Sequence, residues 1–176
     1  MMNIQATQDS KRQWLAPIFG NIPTELKSQP WAVWIAEPRD GNLGKFNKAP
    51  RSPATGINIG ADKPGTFGSF AEAKSAYATG RYTGVGVLLT GNGIIGVDID
   101  YFKSSLTDQP TVKAWLAQAI YAGAYCEYSP SGNGLRLFMR GKLPGTGRKS
   151  GSLEIYDKHR FLTVTGAILQ FKEAGA

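Results

Sequence analysis

The sequence predicts an α+β domain, and three observations carry that class. Several short runs rich in β-branched and aromatic residues read as strands. Two longer segments carry apolar residues at helical spacing with recognisable helix starts. Gly- and Asn-rich turns between strand-like runs point to antiparallel pairing. The elements follow in chain order. Residues 1–12 are polar and read as a loose leader, which short helical pieces at Trp14 to Phe19 and Pro23 to Leu26 extend to residue 28. Trp31 to Glu37 reads as a buried strand. Pro38 to Gly68 is rich in Gly, Pro, Asn, Lys and Arg and reads as one long loop. Loops of that length inside a compact domain are usually functional or disordered.

Ser69-Phe70-Ala71-Glu72 is a capping box that opens a helix through about Ala78, with Gly80 as its stop. Gly84 to Thr90 and Ile94 to Asp100 are strands joined by Gly91-Asn92-Gly93, whose tolerance of positive φ predicts a hairpin. A second helix runs from Pro110 to Ala122: Asp108 or Gln109 precedes it, Pro110 suits its first turn, and Gly123 ends it. Its apolar stripe is Val112, Trp115, Leu116, Ala119 and Ile120. Strands follow at Ala124 to Tyr128, Leu135 to Arg140, Leu153 to Tyr156 and Phe161 to Thr165, with a flexible basic loop from Gly141 to Ser152. One domain over residues 29–168 is expected, with 169–176 as a tail that starts a linker to a further domain.

The 176 residues suffice for one substantial core. A net charge of +7 suits a polyanionic partner, nucleic acid first. No apolar run reaches the roughly 18 residues that a membrane span needs, and the polar N-terminus is unlike a secretory signal. The single cysteine, Cys126, cannot form an internal disulfide, which fits a reducing cytoplasm; within Ala124-Tyr125-Cys126-Glu127-Tyr128 it reads as a small packed residue.

The densest chemical signal is Ile94-Ile95-Gly96-Val97-Asp98-Ile99-Asp100. Residues two apart on a strand share a face, so Asp98 and Asp100 stand together, roughly 6.5–7 Å apart at the backbone. Ile95, Val97 and Ile99 take the opposite face, into a core. Carboxylates this close repel, and a hard divalent cation relieves the repulsion. In Leu135 to Arg140 the alternation puts Arg136, Phe138 and Arg140 on one face; in Leu153 to Tyr156 it puts Glu154 opposite the core-facing Leu153 and Ile155. If these strands pair in one antiparallel sheet, Asp98, Asp100, Arg136 and Glu154 share a surface, a layout suited to metal and a triphosphate. A simple cross-strand ion pair between Glu154 and Arg136 is the plainer alternative.

Asp98-Ile99-Asp100, then Ser129-Pro130-Ser131-Gly132-Asn133-Gly134-Leu135-Arg136, then Leu153-Glu154-Ile155-Tyr156-Asp157, then Arg160-Phe161-Leu162-Thr163-Val164-Thr165-Gly166 form an ordered series. It resembles the primase-polymerase branch of the archaeo-eukaryotic primase superfamily, found in replication proteins of phages, plasmids and other mobile elements. The resemblance spans roughly Trp31 to Gly166 and takes in Lys48-Ala49-Pro50, similar to a Lys-x-Pro segment near the incoming nucleotide. It implies an RRM-like antiparallel sheet with helices on one face, joined to an N-terminal α/β unit, with the active site between them.

By motif, Asp98, Asp100 and Glu154 take the catalytic, metal-binding acidic positions for Mg2+ or Mn2+. Arg136 stands where the family usually has a phosphate-contacting His; a guanidinium holds phosphate bidentately or pairs with a carboxylate. Arg160, Lys48, Ser129 and Ser131 complete the expected nucleotide site, the serines through a turn whose amides can nest an anion. Lys45, Arg51, Arg148 and Lys149 are the expected nucleic-acid contacts. Phe138 and Tyr156 are candidates to stack a base or sugar, with core packing as the alternative. His159 reads as an exposed turn residue.

The function the resemblance implies is template-directed nucleotidyl transfer, as a DNA primase or polymerase in the replication of a mobile element. Its partners would be a single-stranded DNA template, nucleoside triphosphates and a helicase domain or protein, with no membrane. The alternative is a catalytically weak or inactive module of the same fold that binds nucleotide or single-stranded DNA. Other readings fall away. In Pro144 to Ser150, Arg148 separates the glycine from Lys149, which breaks the phosphate-loop pattern. One histidine cannot supply a rolling-circle initiator's metal cluster, and no Gly-x-Ser-x-Gly or paired-cysteine site is present.

Overall fold

A computed structural model describes residues 13–40, 44–103 and 109–169. Within them the chain is mixed α and β, built on antiparallel sheets with few helices. The first sheet has four strands: β1 (Trp31–Trp34), β4 (Pro50–Arg51), β5 (Gly84–Thr90) and β11 (Lys158–Val164), in the order β11-β5-β1-β4. The second has five: β6 (Ile94–Ile99), β7 (Tyr125–Tyr128), β8 (Leu135–Arg140), β9 (Arg148–Ser150) and β10 (Leu153–Tyr156), in the order β7-β8-β6-β10-β9. A separate two-stranded arm pairs β2 (Glu37–Pro38) with β3 (Phe46–Asn47). The helices are α1 (Thr24–Lys27), α2 (Phe70–Ala78) and α3 (Pro110–Tyr121). None is long and apolar enough to cross a membrane among the described residues.

Two cores follow from strand alternation. Trp31 and Val33 of β1, Val85, Val87 and Leu89 of β5, and Leu162 and Val164 of β11 pack with Ala73 of α2 and with Phe138 from the second sheet. Val97 and Ile99 of β6, Leu135 and Leu137 of β8, and Cys126 pack against Leu116 of α3. The helix stripe read from the sequence is the face that covers this second core, with Val112, Trp115, Ala119 and Ile120 at its edges. The predicted capping box is present: Ser69 Oγ accepts from the Glu72 amide at 3.2 Å, and Glu72 Oε2 accepts from the Ser69 amide at 2.7 Å.

The expected hairpin between β5 and β6 does not form. β5 lies between β1 and β11, and β6 lies between β8 and β10, so neither has an edge to offer the other. Gly91 and Gly93, at φ 83° and 84°, instead turn a corner that takes the chain from the first sheet to the second. Asp157 alone brings it back, between β10 and β11, and its carbonyl accepts a 2.8 Å hydrogen bond from the Gly91 amide. The two crossings therefore brace each other.

Two apparent loops are captured as strands. The long segment 38–68 supplies β3 of the arm and β4, which pairs with β1. The basic loop 141–152 supplies β9, which pairs with β10. The last strand begins at Lys158, and His159 sits in it as an exposed bulge at φ 53° rather than in a turn. Residues 14–18 form no helix; a short 3-10 turn at Phe19–Asn21 and α1 follow. Residues 13–28, expected as part of a leader, are integral to the fold: Ile22 and Leu26 are buried, and the Ile18 amide donates to the Thr165 carbonyl at 2.7 Å. Residues 1–12, Asp108 and the tail from 170 lie outside the described residues.

Gly86 in β5 faces β11 so closely that a Cβ there would stand 2.5 Å from the Leu162 carbonyl oxygen and 2.5 Å from the Phe161 ring. Backbone cannot yield as a side-chain tip can. Gly86→Ala is expected to lower stability by about 1–3 kcal/mol, read as a fall in the urea midpoint without a change in slope.

Candidate active site

The acidic residues are placed by strand register. In β6, Val97 and Ile99 are fully buried on the helix side, which turns Asp98 to the opposite face. β10 pairs with β6 so that Glu154 lies directly across from Asp98, and β8 pairs on the other side so that Arg136 does too. A row Glu154–Asp98–Arg136 thus crosses three strands, and Glu127 of β7 extends it beyond Arg136. Asp100 follows the end of β6, with its amide donating to the Ser152 carbonyl at 2.9 Å. The next residue, Tyr101, is exposed at φ 49°, a left-handed conformation that costs a non-glycine residue energy and marks the strand end as constrained.

This face does not open wholly to solvent. Its far half is core: Gly96 and Phe138 are buried against the first sheet, so Phe138 packs and is not placed to stack a base. Its near half borders a cleft of about 350 Å3. Asp100, Glu154 and Lys149 form one wall, Ser131 and Asn133 another, and Lys45 and Lys48 reach in from the arm. The Ser129–Gly134 turn is a closed unit: the Gly134 amide donates to Ser129 Oγ at 3.0 Å and the Ser129 amide to the Gly134 carbonyl at 2.8 Å.

The carboxylates lie among cations of the same chain. Arg136 Nη1 donates to Asp98 Oδ1, while its Nε donates to the carbonyl and hydroxyl oxygens of Thr163 in β11, at 3.2 and 3.1 Å. Glu154 accepts from Lys149 at one oxygen and, at the other, from Arg160 at 2.6 Å and the Tyr156 hydroxyl at 3.0 Å. Arg160 also lies over the Tyr156 ring, 4.4 Å from its centroid. Burial alone would push the Glu154 carboxyl up, but the bonds from Lys149 and Tyr156 and the charge of Arg160 outweigh it and hold the group below its ordinary value. The opposite holds for Asp100. Desolvation by the cleft walls, then the charges of Asp98 and Glu154, push its carboxyl up, with Arg136 and Lys149 only partly offsetting them.

Several expected residues fall elsewhere. Arg51 is held by Glu37 at 2.5 Å and by the Gly56 carbonyl at 3.1 Å, on the far side of β4's pairing with β1. Arg148 is exposed on β9, the edge strand. Lys48 does line the cleft, where it lies 5.6 Å over the Trp14 ring, and Trp14 in turn meets Trp34 and Phe46 edge to face. Cys126 is buried and its thiol is pushed up to about 12 by burial and the Glu127 charge, which fits an inert packed residue.

Sequence reasoning missed Trp14, Arg39, Tyr101 and Asn133, all in the cleft wall. Arg39 had a signal, because it sits in the same basic segment as Lys45 and Lys48. Trp14 had none, because it reads as part of a short helical piece and carries no charge or chemical motif. Glu127 was also missed as a polar residue: fully buried, it accepts from the Tyr125 hydroxyl and from the amides of Thr165 and Gly166, all at 2.7–2.8 Å.

Among the described residues no three carboxylate, imidazole or thiol side chains are gathered closely enough to enclose an ion. The donor chemistry still suits one. Asp98, Asp100 and Glu154 are hard oxygen ligands on one face, and burial together with the neighbouring carboxylates raises the Asp100 carboxyl, a cost that a divalent cation would relieve.

That shift has a sign that can be checked. A carboxyl raised above its ordinary 3.8 disfavours the folded state once it must ionise, so its cost appears as pH rises from that value. Asp100→Asn is therefore expected to melt at a higher temperature than the parent chain at pH 7, with the gain shrinking as pH falls towards 3.8. A melting profile showing no gain at neutral pH would contradict this electrostatic reading.

No family model matches the chain. A curated DNA primase-polymerase of Nitratiruptor phage NrS-1 is 30% identical to it over 152 residues, 81% of this chain. The chain spans only 20% of that protein's length. On that similarity the chain is a relative of a phage DNA primase-polymerase across most of its own length.

Proposed function

We propose that the chain is the nucleotidyl-transfer domain of a DNA primase or polymerase that serves replication of a mobile element. The observation that carries this reading is the register that sets Glu154 directly across from Asp98, with Asp100 at the same strand end beside a cleft lined by lysines. The fold supports it. Counted along the chain, β6, β7, β8 and β10 stand in the order second, third, first, fourth, all antiparallel, with α3 crossing between the first two. That is the split β-α-β order of RRM-like sheets. β9 occupies the connection where a second crossover helix would lie in the full motif. The first sheet, with α2, would supply the N-terminal unit, and the cleft lies between the second sheet and the β2–β3 arm.

In this reading Asp98, Asp100 and Glu154 would hold Mg2+ or Mn2+. Bound there, such ions would lower the pKa of the attacking hydroxyl and neutralise the leaving pyrophosphate. The chain's own residues do the positioning. Arg136, anchored at Thr163, holds Asp98 in place and keeps one side of the cleft positive. Lys48 in the cleft lining, and Arg160 bonded to Glu154, would contact the triphosphate, with the Ser129–Gly134 turn forming part of the cleft wall. Lys45 and Arg39 on the arm and Arg148 on the outer strand suit a single-stranded template's phosphates. Nucleoside triphosphates, template DNA and a helicase domain or protein are the partners, and the compartment is the cytoplasm.

A second reading, a binding module without catalysis, draws on one observation: Asp98 is tied to Arg136, where the family's histidine would leave it to other partners. Primer extension separates the two. With Mg2+ or Mn2+ the parent chain should extend a primed template, and Asp98→Ala/Asp100→Ala should lose about two orders of magnitude or more. No extension by the parent under either metal, with single-stranded DNA still bound, would favour the module.

A further inference from the structure

We propose that Lys149 is a triphosphate-binding residue that rests on Glu154 and exchanges that carboxylate for the nucleotide's terminal phosphates. The proposal rests on the nucleotidyl-transfer reading above and adds a role for a residue which charge alone had suggested for the template. Lys149 lies on β9 directly across from Glu154, and its ammonium donates to Glu154 Oε1. It also lines the cleft.

The three cations around the acidic row differ in their freedom. Arg136 is fixed: its side chain is 9% exposed, and Thr163 holds it through two oxygens besides Asp98. Arg160 is steadied by the Tyr156 ring beneath it and keeps the second oxygen of Glu154. Lys149 has neither support. Its side chain is 61% exposed, whereas that of Glu154 is 10% exposed, and it stands on an exposed edge strand. A flexible four-carbon stem carrying a compact ammonium is suited to change partner with little rearrangement.

Charge balance gives the exchange its direction. Asp98, Asp100 and Glu154 are matched in number by Arg136, Lys149 and Arg160. A divalent cation taken up by Glu154 repels the ammonium already there, and a triphosphate in the same cleft offers it new oxygens. Metal and triphosphate should therefore each bind better when the other is present, by the same factor in both directions. A nucleoside monophosphate has no terminal phosphates for Lys149 to reach.

The test is binding rather than turnover, with Mn2+ followed by electron paramagnetic resonance and a non-hydrolysable deoxynucleoside triphosphate followed by equilibrium dialysis. In Lys149→Met, Mn2+ alone should bind several-fold tighter, because its competitor is gone. The triphosphate with Mn2+ should bind about tenfold weaker, the scale of one lost charge-assisted hydrogen bond. The monophosphate should be unaffected, and Lys149→Arg should stay close to the parent chain. Unchanged triphosphate affinity in Lys149→Met, or equal losses for the mono- and triphosphate, would overturn the proposal. Parent protein whose Mn2+ and triphosphate binding is indifferent to Asp98→Asn and Asp100→Asn would instead overturn the reading on which it rests.

Discussion

Burying a guanidinium and a carboxylate together removes both from water, and the arrangement survives only if every donor and acceptor finds a partner. The Arg136–Asp98 pair meets that demand by reaching outside its own sheet. Nε is spent on Thr163, in a strand of the other sheet, and Nη1 on Asp98, one strand over. The pair therefore does more than neutralise a carboxylate. It fixes where the end of β6 stands relative to β11, and so sets one side of the cleft.

A second buried charge supports the same corner. Glu127, beside Arg136 in the sheet, takes the amides of Thr165 and Gly166 just past the end of β11. Burial raises its carboxyl, and the Tyr125 hydroxyl, the two amides and the charge of Arg136 pull it back. The strand that carries Thr163 is thus tied at its end to the strand next to Arg136. The two sheets share this polar clamp on one side and the Gly91–Asp157 crossing on the other, with an apolar core between them.

The cleft itself is where the fold is least content. Burial and the charges of Asp98 and Glu154 raise the Asp100 carboxyl, which Arg136 and Lys149 only partly offset, and Tyr101 beside it holds a left-handed backbone. Groups kept in such surroundings lower stability unless a ligand relieves them, which is the usual relation between a working site and its scaffold. Glu154 is the counterexample within the same row, stabilised by three donors at once. A pair of carboxylates with opposed environments on adjacent strands is what a cation and a phosphate chain, arriving together, would rebalance.

Much of this was legible in the chain. Period-two alternation put Asp98, Arg136 and Glu154 on one face, and the apolar runs, the capping box and Pro110 marked α2, α3, β6, β8 and β10 to within a residue, while the first and last strands kept other bounds. Those features are local, because a strand's pleat and a helix's first turn are set by neighbouring residues. Which strand lies beside which is not local. Gly91-Asn92-Gly93 serves a hairpin or a corner equally well, and only the competition of β1, β8, β10 and β11 for strand edges decided for the corner. The same competition turned two apparent loops into β4 and β9, brought Lys149 onto Glu154, and drew Arg51 away to Glu37. The sequence by itself determined the faces and their chemistry; tertiary structure decided the partners, because hydrogen-bonded edges and buried charges are satisfied only by the chain as a whole.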